Sequence, residues 1–314
     1  MAAQEGVDRR WRGGSELVNT AVDPRGPNVK EVASAGEPSY FVSDRVIRVL
    51  APNPSMMTLN GTNTYIVRGR TGNKALVVDP GPAIPSHLAR LKQIITDLDL
   101  EVTGVLLTHG HFDHSESARD VASEHGVPIF AHPDALISDD AVGLDSVGES
   151  EIAGVPIEIV PTPGHCRDHL AYLIDRRVLL SGDHILGAGT TVVLHPDGRL
   201  EEYLASIAAV ERLQCELVLP GHGPEIAGAM VAQVLSYYRL HRLERLTQIR
   251  RAVADAPGIG VGDLVDLLYG KAIDERVVPA ATATTLAALV YLTEHGDLIQ
   301  EHDTYRPNGG SDSK

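Results

Sequence analysis

The run Thr108-His109-Gly110-His111-Phe112-Asp113-His114 packs three histidines and an aspartate into six residues. In extended backbone, side chains two apart point the same way, so His109 and His111 can address one cation together. The chain must then turn, and Asp113 and His114 can reach a second cation beside the first. Imidazole nitrogens with few carboxylates suit zinc, with iron or manganese as alternatives, better than calcium or magnesium.

Such a loop needs a rigid support. The preceding Val102-Thr103-Gly104-Val105-Leu106-Leu107 is short, apolar and β-branched, which predicts a buried strand. Ser115-Glu116-Ser117-Ala118 predicts a helix start with a small polar capping residue. The ligands then sit at the carboxyl end of a strand, where open α/β sheets usually place their sites.

The motif His-x-His-x-Asp-His after a strand resembles the metallo-β-lactamase superfamily. That resemblance implies further ligands, each with a counterpart here: His165 in Thr162-Pro163-Gly164-His165, Asp183 in Ser181-Gly182-Asp183, and His222 in Pro220-Gly221-His222-Gly223. It implies a first metal on His109, His111 and His165, a second on Asp113, His114 and His222, and Asp183 bridging them. Asp79, in Asp79-Pro80-Gly81-Pro82, matches the aspartate that orients ligands from behind. His169 and His184 are further candidates for the layer behind the ligands or for substrate contact. His132 and Cys166 are weaker ones: a loop histidine is more often structural, and a lone cysteine is more often a small buried side chain.

Over residues 45–305 the pattern is similar to the beta-lactamase-like protein 2 family, in the glyoxalase II-related branch. Asn53-Pro54, the Leu59–Tyr65 run with Asn63, and Ser181-Gly182-Asp183-His184-Ile185-Leu186-Gly187 carry that likeness. Gly110 stands where the family commonly has Trp, which points to a different pocket shape.

The 314 residues, 43% of them hydrophobic, suffice for one large domain and a small one. Two cysteines make no disulfide framework. No apolar run approaches the ~20 residues of a membrane span, and Met1–Gly6 lack a signal core, so a cytoplasmic location is expected. A net charge of −15 weighs against extended contact with nucleic acid.

Residues 1–38, rich in Gly, Pro, Ser and charge, read as a disordered extension. Strands near Tyr40–Val42, Arg45–Leu50, Thr62–Val67 and Ala75–Val78 open a meander, followed by a helix over Ser86–Leu98. Strands then alternate with helices, twice over, across residues 40–135 and 150–225. This predicts an α/β fold, an αββα sandwich, as the catalytic domain over 39–227. Residues 228–305 turn helical, with three helices and a terminal β element resembling a winged helix; 306–314 read as a flexible tail. Leu240, Leu243, Leu246, Ile249 and Val253 form one stripe, with Arg242, Arg245, Arg250 and Arg251 opposite. From 240 on there are eight basic against eleven acidic side chains, so DNA is not expected as a partner. The arginines read as a solvated face, or as a platform for an anionic substrate led by Arg242 and Arg245.

The implied function is zinc-dependent hydrolysis by a bridging hydroxide on a dinuclear centre, with Asp113 holding the nucleophile's proton. The expected substrate is a small ester or thioester. Single-stranded RNA is the rival substrate, and a mononuclear iron persulfide dioxygenase is the rival class. The complete second-site set argues against the dioxygenase. Oligomeric state is not legible.

Overall fold

A computed structural model describes residues 23–25, 39–135, 141–144, 148–270 and 274–309. It divides into two compact units, Asp23–Arg239 and Leu240–Lys314.

The larger unit is built on two sheets. The first has seven strands in the order β1 (Ser39–Phe41), β2 (Val46–Leu50), β3 (Asn63–Arg68), β4 (Lys74–Val78), β5 (Glu101–Leu106), β6 (Ile129–Ala131) and β7 (Val142–Gly143). The meander β1 to β4 is antiparallel; from β4 onward the pairing is parallel. The crossovers are helices α1 (Pro85–Asp97) and α3 (Ala118–His125), with the single turn α2 (Phe112–Ser115) leading into α3. The second sheet holds β8 (Gly148–Ile152), β9 (Val155–Pro161), β10 (Leu170–Ile174), β11 (Val178–Gly182), β12 (Leu217–Pro220) and β13 (Ile226–Ala227), with α4 (Leu200–Leu213) crossing from β11 to the parallel β12.

Alternation along the strands shows how the layers are filled. Tyr65, Val67, Leu76 and Val78 join Ile157, Ile159, Tyr172 and Leu180 in one core cluster that draws on both sheets. Their neighbours Ile66, Ala75 and Val77 belong to a second cluster with Leu91 and Ile95 of α1 and Val121 of α3. Both faces of the central strands are buried, so they are apolar at nearly every position rather than at alternate ones. This is the expected sandwich.

Several details depart from expectation. Ser117 stands at the N-cap of α3, but its hydroxyl makes no capping bond. The turn α2 already supplies the preceding helical residues, so the chain enters α3 from helical rather than extended backbone. Residues 1–22 and 26–38 lie outside the described residues, but Asp23–Arg25 do not. The Arg25 guanidinium donates to the carbonyls of Leu186 and Gly189 and lies 5.5 Å from the Tyr238 ring. Asp23 and Arg25, within the expected extension, therefore have hydrogen-bond partners. The insertion after Pro133 is described only in part, residues 136–140 and 145–147 lying outside.

The smaller unit carries the end of α5 (Ala229–Asp255), then β14 (Ile259–Gly260), α6 (Val261–Tyr269), α7 (Val278–Glu294), β15 (Leu298–Glu301) and β16 (Thr304–Pro307). The last strand runs to Pro307, past the expected start of the tail at 306; residues 310–314 lie outside the described residues. The three strands form an antiparallel sheet in the order β14, β16, β15. The arginine face holds at Arg250 and Arg251, which are exposed opposite buried Leu246, Ile249 and Val253, and is corrected before them. Leu240 and Leu243 are exposed at 48% and 41%, whereas Arg242 is buried at 3%. The reason is that the helix starts at Ala229. Its buried stripe runs Val231, Val234 and Leu235, Tyr238, Arg242, Leu246, Ile249, Val253, in steps of three and four. Arg245 is half-buried, 4.7 Å from the Tyr269 ring. No helix among the described residues is long and apolar enough to cross a membrane.

Candidate metal centre

Four loops, each leaving the carboxyl end of a strand, bring their side chains together. His109 to His114 follow β5, His165 follows β9, Asp183 follows β11 and His222 follows β12. His109 Nε2 lies 2.8 Å from His111 Nδ1, which lies 3.1 Å from His165 Nε2. His222 Nε2 is 3.3 Å from His114 Nε2 and 3.2 Å from Asp113 Oδ2. Asp183 stands between the two groups, with Oδ1 3.4 Å from His222 Nε2 and 3.5 Å from His114 Nε2, and Oδ2 3.8 Å from His165 Nε2.

Hydrogen bonds fix the histidine tautomers. His165 Nδ1 donates to the Val192 carbonyl at 2.6 Å, and His222 Nδ1 to that of Gly61 at 3.2 Å. Asp79 accepts from the Thr108 amide and hydroxyl, both at 2.7 Å, and from His114 Nδ1 at 2.9 Å. The Thr108 hydroxyl is thereby committed as a donor, so it accepts from His109 Nδ1 at 3.0 Å. In all four rings Nδ1 donates, which turns Nε2 toward the others.

Nitrogens and carboxylate oxygens converging in this way suit a cation. Tetrahedral ligands at zinc distances stand about 3.3 Å apart. The spacings above bracket that value. Asp183 Oδ1 is buried with no hydrogen-bond partner, which also fits. Two clusters, His109-His111-His165 with Cys166 and Asp113-His114-His222, have donor atoms mutually within 4.8 Å, and a third joins His109 and His114 to Asp183. Gly221 keeps the space open. A Cβ there would lie 2.5 Å from Asp183 Oδ1 and 2.7 Å from His114 Cε1.

The electrostatics of the two groups differ. Burial holds His109 well below the ordinary histidine value and His165 down to about 4, with neighbouring imidazoles adding to it. Burial acts the same way on His222, but the carboxylates of Asp183 and Asp113 outweigh it and push it up to about 9. His114 is raised for the same reason. Asp113 falls to about 2: burial opposes this, and the charge of His114 and the bond from His222 overcome it. The second group is a proton trap that a cation would discharge.

The candidates behind the ligands have definite tasks. His169 stacks on His109 with ring centroids 5.1 Å apart; its Nε2 accepts the Asp183 amide at 3.0 Å while Nδ1 donates to Thr162 Oγ1 at 2.8 Å. It is buried, and its contact is with the Asp183 backbone. Asn63 donates to the carbonyls of Pro220 and Gly223, at 2.8 and 2.9 Å, and so holds the His222 loop. His184 is fully buried 5.0 Å from the Tyr203 ring, with neither ring nitrogen hydrogen-bonded, and its pKa falls to about 3 through burial. His132 accepts the Asp134 amide within its own turn. Arg242 and Arg245 belong to the other unit. Sequence reasoning missed Thr108, Arg48, which donates to Asn63 Oδ1 at 2.7 Å, and Asp168, which accepts the Gly110 amide at 2.7 Å. Only the polarity of Arg48 in an otherwise apolar strand could have flagged one of them.

Residues 57–222 match the Metallo-beta-lactamase superfamily. The chain belongs to that superfamily and is a metal-dependent hydrolase. It is 31% identical to a beta-lactamase-like protein 2 homolog of Caenorhabditis elegans, over 88% of this chain and 94% of that one. It is 30% identical to an atrochrysone carboxyl ACP thioesterase of a Cryptosporiopsis species, over 74% of each. Among solved structures, a beta-lactamase domain protein from Burkholderia ambifaria superposes with a TM-score of 0.75 at 22% identity, over 87% of this chain and 96% of that one.

Proposed function

We propose that the protein hydrolyses a small acyl thioester or ester at a dinuclear zinc centre. His109, His111 and His165 would hold one ion, Asp113, His114 and His222 the other, and Asp183 would bridge them. The observation that carries this is the mutual approach of His109, His111 and His165 and of Asp113, His114 and His222, with Asp183 oxygens 3.4–3.8 Å from Nε2 of His114, His165 and His222. When bound, such ions supply Lewis acidity and lower the pKa of water to roughly 7.

The chain's own groups do the rest. Asp113 is the partly exposed carboxylate of the set, at 31%, and Thr62 Oγ1 donates to its Oδ2 at 3.3 Å. Held there, it can orient a water and take its proton. Asp79, Gly61 and Val192 lock the imidazole tautomers, so no ligand has to reorganise. Phe112, between His111 and Asp113 and 70% exposed, offers an apolar face for an acyl chain. The net charge of −15 and the thioesterase relative both favour a small substrate over RNA. The catalytic domain would cover 39–227, the remainder to 305 would form a winged-helix-like accessory, and the protein would work in the cytoplasm.

Metal-loaded protein should cleave acyl thioesters with release of free thiol, and His111→Ala should abolish it. Cleavage of single-stranded RNA with no thioesterase activity would overturn the substrate assignment.

A further inference from the structure

Between Asp183 and the start of α4 the chain has no regular structure, yet residues 186–188 are buried. Buried irregular backbone must find its hydrogen bonds outside helices and strand ladders. Here the partners come from distant segments. The Gly187 amide donates to the His222 carbonyl at 2.8 Å, and the Leu186 amide to the Tyr238 hydroxyl oxygen at 2.9 Å. The carbonyls of Leu186 and Gly189, which flank Gly187, accept from the two terminal nitrogens of Arg25.

Among side chains only arginine offers five donors in a planar fork. Nε and Nη2 take the two oxygens of Asp23, each at 2.9 Å, while Nη1 reaches Leu186 and Nη2 also reaches Gly189. The Asp23 carboxylate neutralises the charge, and the Tyr238 ring lies 5.5 Å from the guanidinium carbon. The Arg25 side chain is 10% exposed. Hydrogen bonds from an ionised donor are about twice as strong as neutral ones, so this one side chain holds two loop carbonyls firmly.

The segment it holds touches three of the four ligand loops. It follows Asp183 directly along the chain. Gly187 packs so closely on the His222 loop that a Cβ there would stand 2.2 Å from the Pro224 carbonyl oxygen. Further on, the Val192 carbonyl accepts from His165 Nδ1 at 2.6 Å, and the Leu194 amide donates to the His165 carbonyl at 3.1 Å.

Resting on the reading of these groups as cation ligands, we infer that Asp23–Arg25 is a clip for the metal centre. Arg25 is its positioning residue, acting on Asp183, His165 and His222 through the segment from Leu186 to Leu194. The clip lies outside residues 57–222, the stretch that matches the superfamily. Removing the chain up to Arg25 would therefore weaken a centre whose every ligand is left in place.

Arg25→Ala takes the donors from two carbonyls and alters no ligand. Cobalt titration followed by visible absorption should show ion affinity lowered about tenfold, the scale of losing a partner behind the ligands. Guanidinium chloride well below denaturing concentration should restore it, and sodium chloride at the same concentration should not. Arg25→Lys keeps the charge but cannot span both carbonyls, and should bind cobalt as weakly as Arg25→Ala. Hydrogen exchange of the metal-free variant, read by mass spectrometry, should quicken over residues 186–194 and nowhere in β5 or β12. Deleting residues 1–22 should leave both readouts as in the wild type, and deleting 1–25 should reproduce Arg25→Ala. Should either deletion fail to fold, the point variants with guanidinium still decide. Unchanged cobalt affinity, exchange that quickens equally in β5 and β12, or a loss already complete without residues 1–22 would overturn the clip. A wild type that takes up no cobalt would instead remove the metal reading, and the exchange would still decide whether Arg25 holds the segment.

Discussion

Asp79 Oδ2 accepts a 2.9 Å hydrogen bond from His114 Nδ1, while the same carboxylate is gripped by both donors of Thr108. One buried aspartate thereby sets the ring angle of His114 and, through the Thr108 hydroxyl, the tautomer of His109. Asp79→Asn keeps the shape but puts an amide opposite one of these donors. Metal affinity should fall by about 10–100-fold, the usual cost of losing such a partner, as measured by competition with a chromophoric chelator.

The two donor groups should be separable. His165→Ala removes a donor from the first, and His222→Ala one from the second. Each variant should retain about one ion per chain under conditions that load two in the wild type, as read by elemental analysis after gel filtration. Loss of both ions from either variant would mean the groups do not bind independently.

Acidity should act on the metal-free protein with a definite sign. His222 has its folded pKa pushed up to about 9, above the ordinary histidine value. It binds its proton more tightly when folded, so that contribution is complete below about pH 6.5 and is lost as pH rises through 9. His165, held down to about 4, contributes above about 6.5 and loses its share as pH falls toward 4. The melting temperature of metal-free protein should therefore drop between pH 7 and 9.5. Zinc-saturated protein should not show that drop, because its cations displace the proton on His222.

The histidines that cluster were legible as candidates because their type is rare and their spacing dense. His109, His111, Asp113 and His114 declare themselves over six residues. The supports did not, for a physical reason. Thr108, Arg48 and Asp168 are common residue types; only strand pairing brings Arg48 beside Asn63, and only the meeting of loops from the two sheets brings Asp168 beside Gly110. The sandwich could be read from apolar strands buried on both faces. The C-terminal helix misled because its buried stripe is set upstream, by Val234 and Tyr238. A reading begun at Leu240 takes the wrong side, which is how Arg242 came to be expected in solvent.

His169 is expected to act through Asp183. His169→Phe keeps a ring against His109 but removes the acceptor of the Asp183 amide. The turnover number should fall by about ten- to a hundredfold with little change in KM. Both ions should still bind, though more weakly, when titrated with cobalt and followed by its visible absorption.

Gly221→Ala tests how tightly the centre is packed. The new methyl would lie 2.5 Å from Asp183 Oδ1 and 2.7 Å from a carbon of the His114 ring, so one of them must shift. A loss of about 1–3 kcal/mol in stability is expected, together with weakened uptake of the second ion. Thermal melts with and without zinc would show the gap between the two states shrinking.

The two sheets are also sewn together at the mouth of the site. Thr62 pairs with His222 as an isolated bridge, and the Asn63 amide donates to the Gly221 carbonyl at 2.8 Å. Neither half can peel away without carrying donors out of reach of the other. Cation uptake thus reports on the integrity of the whole sandwich, and a chelator titration becomes, in effect, a folding assay.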